Sequence, residues 1–191
     1  MAAEINAPTK PEEASASPLI IGIGASAGGL EALQQFFQNM PANSGLSFVV
    51  VQHLSPDYKS LMADILGKHT QMRVLQAENE MQIRPNTVYL IPPKNNMTLR
   101  DGRLFLTEFV HGMLNHPIDI FFTSLAEEQK ERAIAVILSG TGSDGTSGIK
   151  IVKEHGGLVI VQNPDSAKFD GMPTSAINTG LADFVLSPDG I

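Results

Sequence analysis

Ser26 stands in Gly24-Ala25-Ser26-Ala27-Gly28, a G-x-S-x-G sequence between the apolar run Leu19 to Gly24 and a stretch of helical period. Small residues on both sides of a serine permit a sharp strand-to-helix turn. The hydroxyl then projects beyond the strand end, and N–H groups at the helix start face a developing oxyanion. A serine hydroxyl is a weak nucleophile near neutral pH and needs a base within hydrogen-bond reach. His53, directly after "FVVVQ", is the candidate base. Asp144, in "LSGTGSDGTSG" after "AIAVIL", is the candidate carboxylate to hold the histidine's tautomer. In a parallel sheet the carboxyl ends of all strands open on one edge, so three strand ends would bring Ser, His and Asp together for acyl transfer. The chain order Ser, His, Asp differs from that of α/β-hydrolases and of the proteases, so the expectation rests on geometry. Ser26 as a helix cap, and an Asx or β-turn at Asp144, are the plainer readings of the same residues.

A rival reading takes Gly22, Gly24 and Gly28 as a dinucleotide fingerprint, with pyrophosphate at the helix N-terminus. That motif wants an acidic residue about 20 positions on to bind a ribose hydroxyl. Gln52 and His53 stand there instead, which favours the hydrolase. The remaining histidines read as surface residues: His69 and His155 at predicted helix C-termini, His111 and His116 in an irregular loop without metal-ligand spacing. Asp57, Asp144, Asp165 and Asp170 fall in predicted loops, but no H-x-x-x-H, H-x-E or E-x-x-H spacing accompanies them, so no metal site is expected.

These groups need a scaffold. Short runs of Val, Ile and Leu alternate with segments of helical period, the pattern of an α/β fold. Strands are predicted at Leu19 to Gly24, "SFVVVQ", "NTVYLIPP", "AIAVILS", "GLVIVQ" and "ADFVL". Helices are predicted at about Gly29 to Met40, Lys59 to His69, Pro117 to Lys130, and over "GIKIVKEH". "NMTLRDGRLFLT" reads as a hairpin turning at Asp101-Gly102. The expected architecture is a doubly wound, mostly parallel sheet with helices on both faces and an antiparallel hairpin near one edge. Residues 1–17, rich in Ala, Glu, Pro and Ser, read as a flexible leader, and residues 18–191 as one domain.

Composition narrows the partners. Thirteen basic against twenty acidic residues give a net charge of -7, which argues against nucleic acid. No run is long and apolar enough to insert in a bilayer, and without cysteine there is no thiolate or disulfide chemistry. A cytoplasmic setting fits.

Four separated motifs, "IGIGASAGGLEAL", "VVVQHLSP", "VILSGTGSDGTSG" and "SAKFDGMPTSAI", together resemble the catalytic domain of the chemotaxis receptor protein-glutamate methylesterase family, CheB, over residues 18 to 188. The resemblance implies a nucleophile, base and orienting acid at Ser26, His53 and Asp144. It also implies a pocket or oxyanion hole at Ala27, Thr141, Gly142 and Met172, and no cofactor. The implied substrate is the γ-glutamyl methyl ester on cytoplasmic helices of chemoreceptors, with deamidation of glutamines in many members. Two departures stand out. The family usually has threonine where this chain has Ala27, and commonly methionine where it has Thr141. Stretches such as "HPIDIFFTSLAEEQKERAIAVILSGTGSDGT" look like the branch in which the esterase leads a longer chain with a receptor methyltransferase domain, so a fragment of a multidomain protein is expected. A regulatory docking domain that keeps the esterase fold is the second functional class, and a nucleotide-dependent oxidoreductase the third.

Overall fold

Alternation along strand β1 (Ile20–Ala25) assigns its side chains to two different cores. Ile21, Ile23 and Ala25 meet Leu33, Phe36 and Phe37 of helix α1 (Gly29–Asn39), whose apolar residues recur at helical spacing. Phe36 and Phe37 close edge-to-face on Phe48 of strand β2 (Ser47–Gln52), with ring centroids 5.7 and 5.2 Å away. Each such buried side chain contributes about 1.5–3 kcal/mol of burial free energy. On the opposite face Ile20 joins Phe121, Phe122 and Leu125 of helix α3 (Pro117–Gln129). Gly22 and Gly24 also point that way. A Cβ on Gly22 would lie 2.9 Å from Leu125 Cδ2, and one on Gly24 would lie 2.5 Å from Ile118 Cγ2, so both glycines let α3 sit directly on the strand.

The structure is a computed structural model and describes residues 18–52, 61–109 and 115–191. The predicted leader, His53 and the first residues of the helix expected from Lys59 lie outside these. Helix α2 (Leu61–Leu66) ends short of the predicted His69, where Gly67 breaks into a turn. Strands β3 (Arg73–Gln76), β5 (Thr87–Leu90), β8 (Ile134–Ile137), β9 (Leu158–Gln162) and β10 (Phe184–Leu186) complete a sheet ordered β10-β9-β8-β1-β2-β5-β3. All its pairings are parallel. Edge strand β3 escaped the sequence reading because its four residues are only partly covered and show no long apolar run.

The predicted hairpin is present as β6 (Asn95–Arg100) and β7 (Arg103–Glu108), with positive φ of 51° and 67° at Asp101 and Gly102. It joins β4 (Met81–Gln82) in a separate three-stranded antiparallel sheet. Side chains of α3 fasten that sheet: Leu99 N–H donates to Ser124 Oγ at 3.0 Å, and Asp101 and Gly102 N–H donate to the Glu128 carboxylate. Helix α4 (Thr146–Glu154) and a helix absent from the sequence reading, α5 (Gly171–Ile177), cover the α3 face, and Met172 and Ala176 of α5 enter its core.

Strand β1 lies between β2, reached through α1, and β8, reached after α3. The order of strands therefore reverses beside β1, and the carboxyl ends of β1 and β8 mark the usual ligand site of such sheets. Among the described residues no helix is long and apolar enough to cross a membrane.

Candidate active site

Ser26 is the first residue past β1. Its backbone N–H donates to Ser139 O at 3.0 Å, and its carbonyl accepts Gly29 N–H at 2.9 Å and Gln52 Nε2 at 3.3 Å. Two glycines make the turn possible. Gly28 has φ of 71°, and a Cβ there would stand 2.7 Å from Ser139 Oγ; a Cβ on Gly29 would stand 2.7 Å from Ala25 Cβ. The serine backbone is thus tied both to the following helix and to the neighbouring strand end.

Ser139, fully buried and not singled out by the sequence reading, makes most of that tie. Its Oγ donates to Ala27 O at 2.9 Å and accepts Phe169 N–H at 3.0 Å, while its own N–H donates to buried Gln162 Oε1 at 2.8 Å. Both residues sit at strand ends between small or loop residues, where sequence pattern shows only a turn. Gly140 follows. Its N–H donates to Phe169 O at 2.9 Å and its carbonyl accepts Met172 N–H at 2.8 Å. A Cβ on Gly140 would strike Met172 Sδ and lie 2.9 Å from Ser26 Cβ. Bare Gly140 backbone therefore separates Ser26 from Met172, two of the residues singled out by sequence.

Thr141 and Gly142 are exposed beside it, Gly142 with φ of 83°. Among the described residues their N–H groups make no hydrogen bond, whereas those of Ser26, Gly140 and Met172 are committed. Of the local backbone donors expected to meet an oxyanion, Thr141 and Gly142 are thus uncommitted and Ser26 is not. Ala27 lies half-buried with its carbonyl engaged by Ser139.

Asp144, 4% exposed, lies four residues further along the same loop. Oδ2 accepts Ile118 N–H at 3.0 Å; Oδ1 accepts Asp119 N–H at 3.0 Å and Gly145 N–H at 2.9 Å. The carboxylate thereby anchors the N-terminus of α3, where two otherwise unpaired N–H groups and the helix dipole favour an anion. This anchoring was not visible in sequence, since Ile118 lies 26 residues before Asp144. His53 lies outside the described residues.

His116 was read as a surface residue of an irregular loop. The structure puts it immediately before α3, 42% exposed at its side chain, with Nδ1 3.7 Å from Asp144 Oδ1. That separation is too long for a hydrogen bond. His116, Asp119 and Asp144 bring potential metal-ligating atoms within 4.8 Å of one another. The carboxylates are already engaged by backbone, Asp119 Oδ1 accepting Gly148 N–H at 2.7 Å, and helix anchoring accounts for the grouping. Burial raises the Asp119 pKa, and the neighbouring Asp144 adds to this, against the opposing pull of Gly148 N–H and His116.

Comparison with known proteins extends this picture. The family model described as CheB methylesterase matches residues 21–191. A Leptospira interrogans protein named putative protein-glutamate methylesterase/protein-glutamine glutaminase is 35% identical over 175 residues, which is 90% of this chain and 90% of that one. The Thermotoga maritima protein-glutamate methylesterase/protein-glutamine glutaminase is 35% identical across 93% of this chain and 52% of its own length. An uncharacterised 104.1 kDa protein of Rhodobacter capsulatus is 49% identical over 130 residues, 68% of this chain but 14% of that protein. The chain therefore spans about half of the Thermotoga relative and a small part of the Rhodobacter one. The crystal structure of the Thermotoga maritima CheB methylesterase catalytic domain aligns with a TM-score of 0.82 at 34% identity, covering 91% of this chain and 95% of that one. Sequence and fold agree that this chain belongs to the CheB methylesterase family.

Proposed function

We propose that this domain is a serine hydrolase that removes methyl esters from glutamate side chains of chemoreceptors and deamidates glutamines at the same positions. The observation that carries the reading is the placement of Ser26 against Gly140 at the carboxyl edge of the sheet, with N–H groups at Thr141 and Gly142 that are uncommitted among the described residues and a buried carboxylate at Asp144 in the same loop. The names of the Leptospira and Thermotoga relatives support the substrate.

In this mechanism Ser26 Oγ attacks the γ-carbonyl carbon of the methylated glutamyl group while His53 takes the hydroxyl proton. Thr141 and Gly142 N–H donate to the oxyanion. Preorganised donors of this kind are each worth about 10²–10³ in rate. As the tetrahedral intermediate collapses, the C–O bond to the methoxy group breaks and His53 returns the proton, releasing methanol. Water, deprotonated by His53, then attacks the acyl-enzyme and frees the glutamate. Asp144 holds His53 in the required tautomer and stabilises its imidazolium. No cofactor enters these steps. Met172 walls the pocket, and the smaller side chain of Ala27 withholds the hydroxyl contact that family members with threonine there could make.

The proposed setting is cytoplasmic, on receptor helices, beside further domains that include a receptor methyltransferase. The length of the Rhodobacter relative supports a multidomain context. Ser26→Ala should abolish methanol release from methylated receptor with unchanged circular dichroism and melting temperature. Retained turnover in that variant would sink the proposal.

A further inference from the structure

Ser139 lies two residues past β8 and is fully buried, yet none of the steps proposed above uses it. Its contacts reach three segments at once. The carbonyl accepts Ser26 N–H at 3.0 Å, and the hydroxyl stands 2.9 Å from Ala27 O. Oγ also accepts Phe169 N–H at 3.0 Å and lies 3.2 Å from Phe169 O. A hydroxyl has one proton to donate. Phe169 O already accepts Gly140 N–H at 2.9 Å, whereas Ala27 O has no other donor among the described residues, so the proton goes to Ala27. Ser139 therefore holds the serine turn twice, through the N–H of Ser26 and through the carbonyl of the next residue.

The far side of Ser139 is fixed as well. Its N–H donates to Oε1 of buried Gln162, the last residue of β9, and Nε2 of the same amide donates to Ser166 O and Oγ at 3.1 and 3.2 Å. A chain of hydrogen bonds thus runs from the end of β9 past the end of β8 to the end of β1. A buried polar network in which each of these groups is paired is rigid.

What this chain holds in register is the distance between the nucleophile and its oxyanion donors. A Cβ added to Gly140 would lie 2.9 Å from Ser26 Cβ, so the serine side chain abuts the residue that follows Ser139. Thr141 and Gly142, whose N–H groups are uncommitted among the described residues, come next. Ser26 and these donors therefore meet within three residues of Ser139, and the Ser139 hydroxyl ties the two sides together. A displacement of about 1 Å between reacting groups can lower a rate about 100-fold.

We infer that Ser139 is a positioning residue for this hydrolase: its hydroxyl sets the Ser26 turn against the Thr141 and Gly142 donors, an inference that rests on the esterase reading above.

The test compares Ser139→Ala and Ser139→Thr with the parent on methylated receptor. Ser139→Ala should lower kcat about 10-fold to 100-fold while KM stays within about twofold, because the lost contact acts on the reacting geometry and not on receptor binding. Ser139→Thr keeps the hydroxyl and should recover most of that loss. Val152→Ala, a buried truncation near the far end of α4, controls for lost stability; assayed, like the others, well below its melting temperature, it should keep the parent kcat. Gln162→Met removes the acceptor of Ser139 N–H and should lower kcat in the same sense, which decides the matter if Ser139→Ala does not fold. Labelling by an alkyl fluorophosphonate, in which the Ser26 oxygen displaces fluoride from phosphorus, reads the turn without receptor and should also slow in Ser139→Ala. Parent-like kcat in folded Ser139→Ala, or a loss shared equally by Ser139→Thr or Val152→Ala, would overturn the positioning role and leave the esterase standing. A parent that releases no methanol but whose labelling slows in Ser139→Ala does the reverse, and a parent that neither turns over nor labels overturns both.

Discussion

Asp144→Asn tests whether the carboxylate anchors a helix as well as serving the site. In the native protein its two oxygens accept three backbone N–H groups, two of them from the first turn of α3. An asparagine whose amide oxygen takes the Oδ1 place keeps Asp119 and Gly145 N–H. Its NH₂ group then faces Ile118 N–H, donor against donor, in a buried location. Losing that bond and leaving the donor unsatisfied costs about 1–3 kcal/mol. Removing the anion from the helix N-terminus adds about 0.3–1 kcal/mol. The total is about 1.3–4 kcal/mol, which at about 2–4 °C per kcal/mol for a domain of this length lowers the melting temperature by about 3–16 °C.

Urea denaturation followed by circular dichroism measures this directly, with Ser26→Ala as the comparison. The Ser26 side chain makes no hydrogen bond among the described residues, so its truncation should stay within about 0.5 kcal/mol of the parent. A native domain has about 5–15 kcal/mol in hand, so Asp144→Asn still folds at 25 °C and its turnover can be measured. If its unfolding midpoint matches the parent within about 0.5 kcal/mol, the anchoring account of Asp144 is wrong. If the loss is as large as expected, reduced turnover in this variant reports a displaced α3 as well as any loss of the proposed orienting role.

Gly24→Ala should destabilise by about 1–3 kcal/mol through overpacking, because the new Cβ falls 2.5 Å from Ile118 Cγ2. The same urea experiment checks it, and an unchanged midpoint would show that α3 can retreat from β1 freely. Asp119→Asn has a pH signature. Burial, helped by Asp144, raises the native pKa of Asp119 above its ordinary 3.8, so between the two values the native state binds more proton than the unfolded chain. Stability from this group therefore falls as pH rises through that window, and the penalty persists above it. Asparagine keeps an oxygen for Gly148 N–H but carries no charge, so melting curves between about pH 4 and pH 8 should show the variant gaining on the parent and then levelling. A difference independent of pH would refute the burial argument.

Much of this molecule could be read from residue patterns, for reasons that differ between elements. Central strands β1, β2 and β8 are continuous apolar runs because both of their faces are covered, and such runs are conspicuous. Edge strand β3 is half solvated and α5 has only seven residues, so neither carries a strong period. Strand ends placed Ser26 and Asp144 on one edge, because direction in a parallel sheet follows from chain order alone. The roles of Ser139, Gln162 and His116 were hidden because each depends on a contact between segments far apart in the chain, such as Ser139 with Ala27 across 112 positions. Polar residues near strand ends look alike until the neighbouring loops are in place.

Spacing alone left the glycines of β1 open to two uses, and packing now separates them. Gly22 and Gly24 lie under Leu125, Phe121 and Ile118, facing α3 and not the start of α1 where a pyrophosphate would have to sit. Gly28 does stand at that start, but a Cβ there would meet Ser139 and Lys168, so its lack of a side chain serves close packing against Ser139 and the segment that leads into α5. Lys168 Nζ is held by Glu31 at 2.8 Å, and this bond keeps the Glu31 carboxyl below its ordinary range. Glu31 belongs to the first turn of α1, so a phosphate arriving there would meet a carboxylate whose cation is already engaged. Two residues beyond Phe169, whose carbonyl binds Gly140 N–H, the same segment enters α5 and supplies Met172 opposite Ser26. The segment that packs beside the helix start, with its one cation already paired to Glu31, is therefore also the one that brings Met172 up to Gly140 beside Ser26.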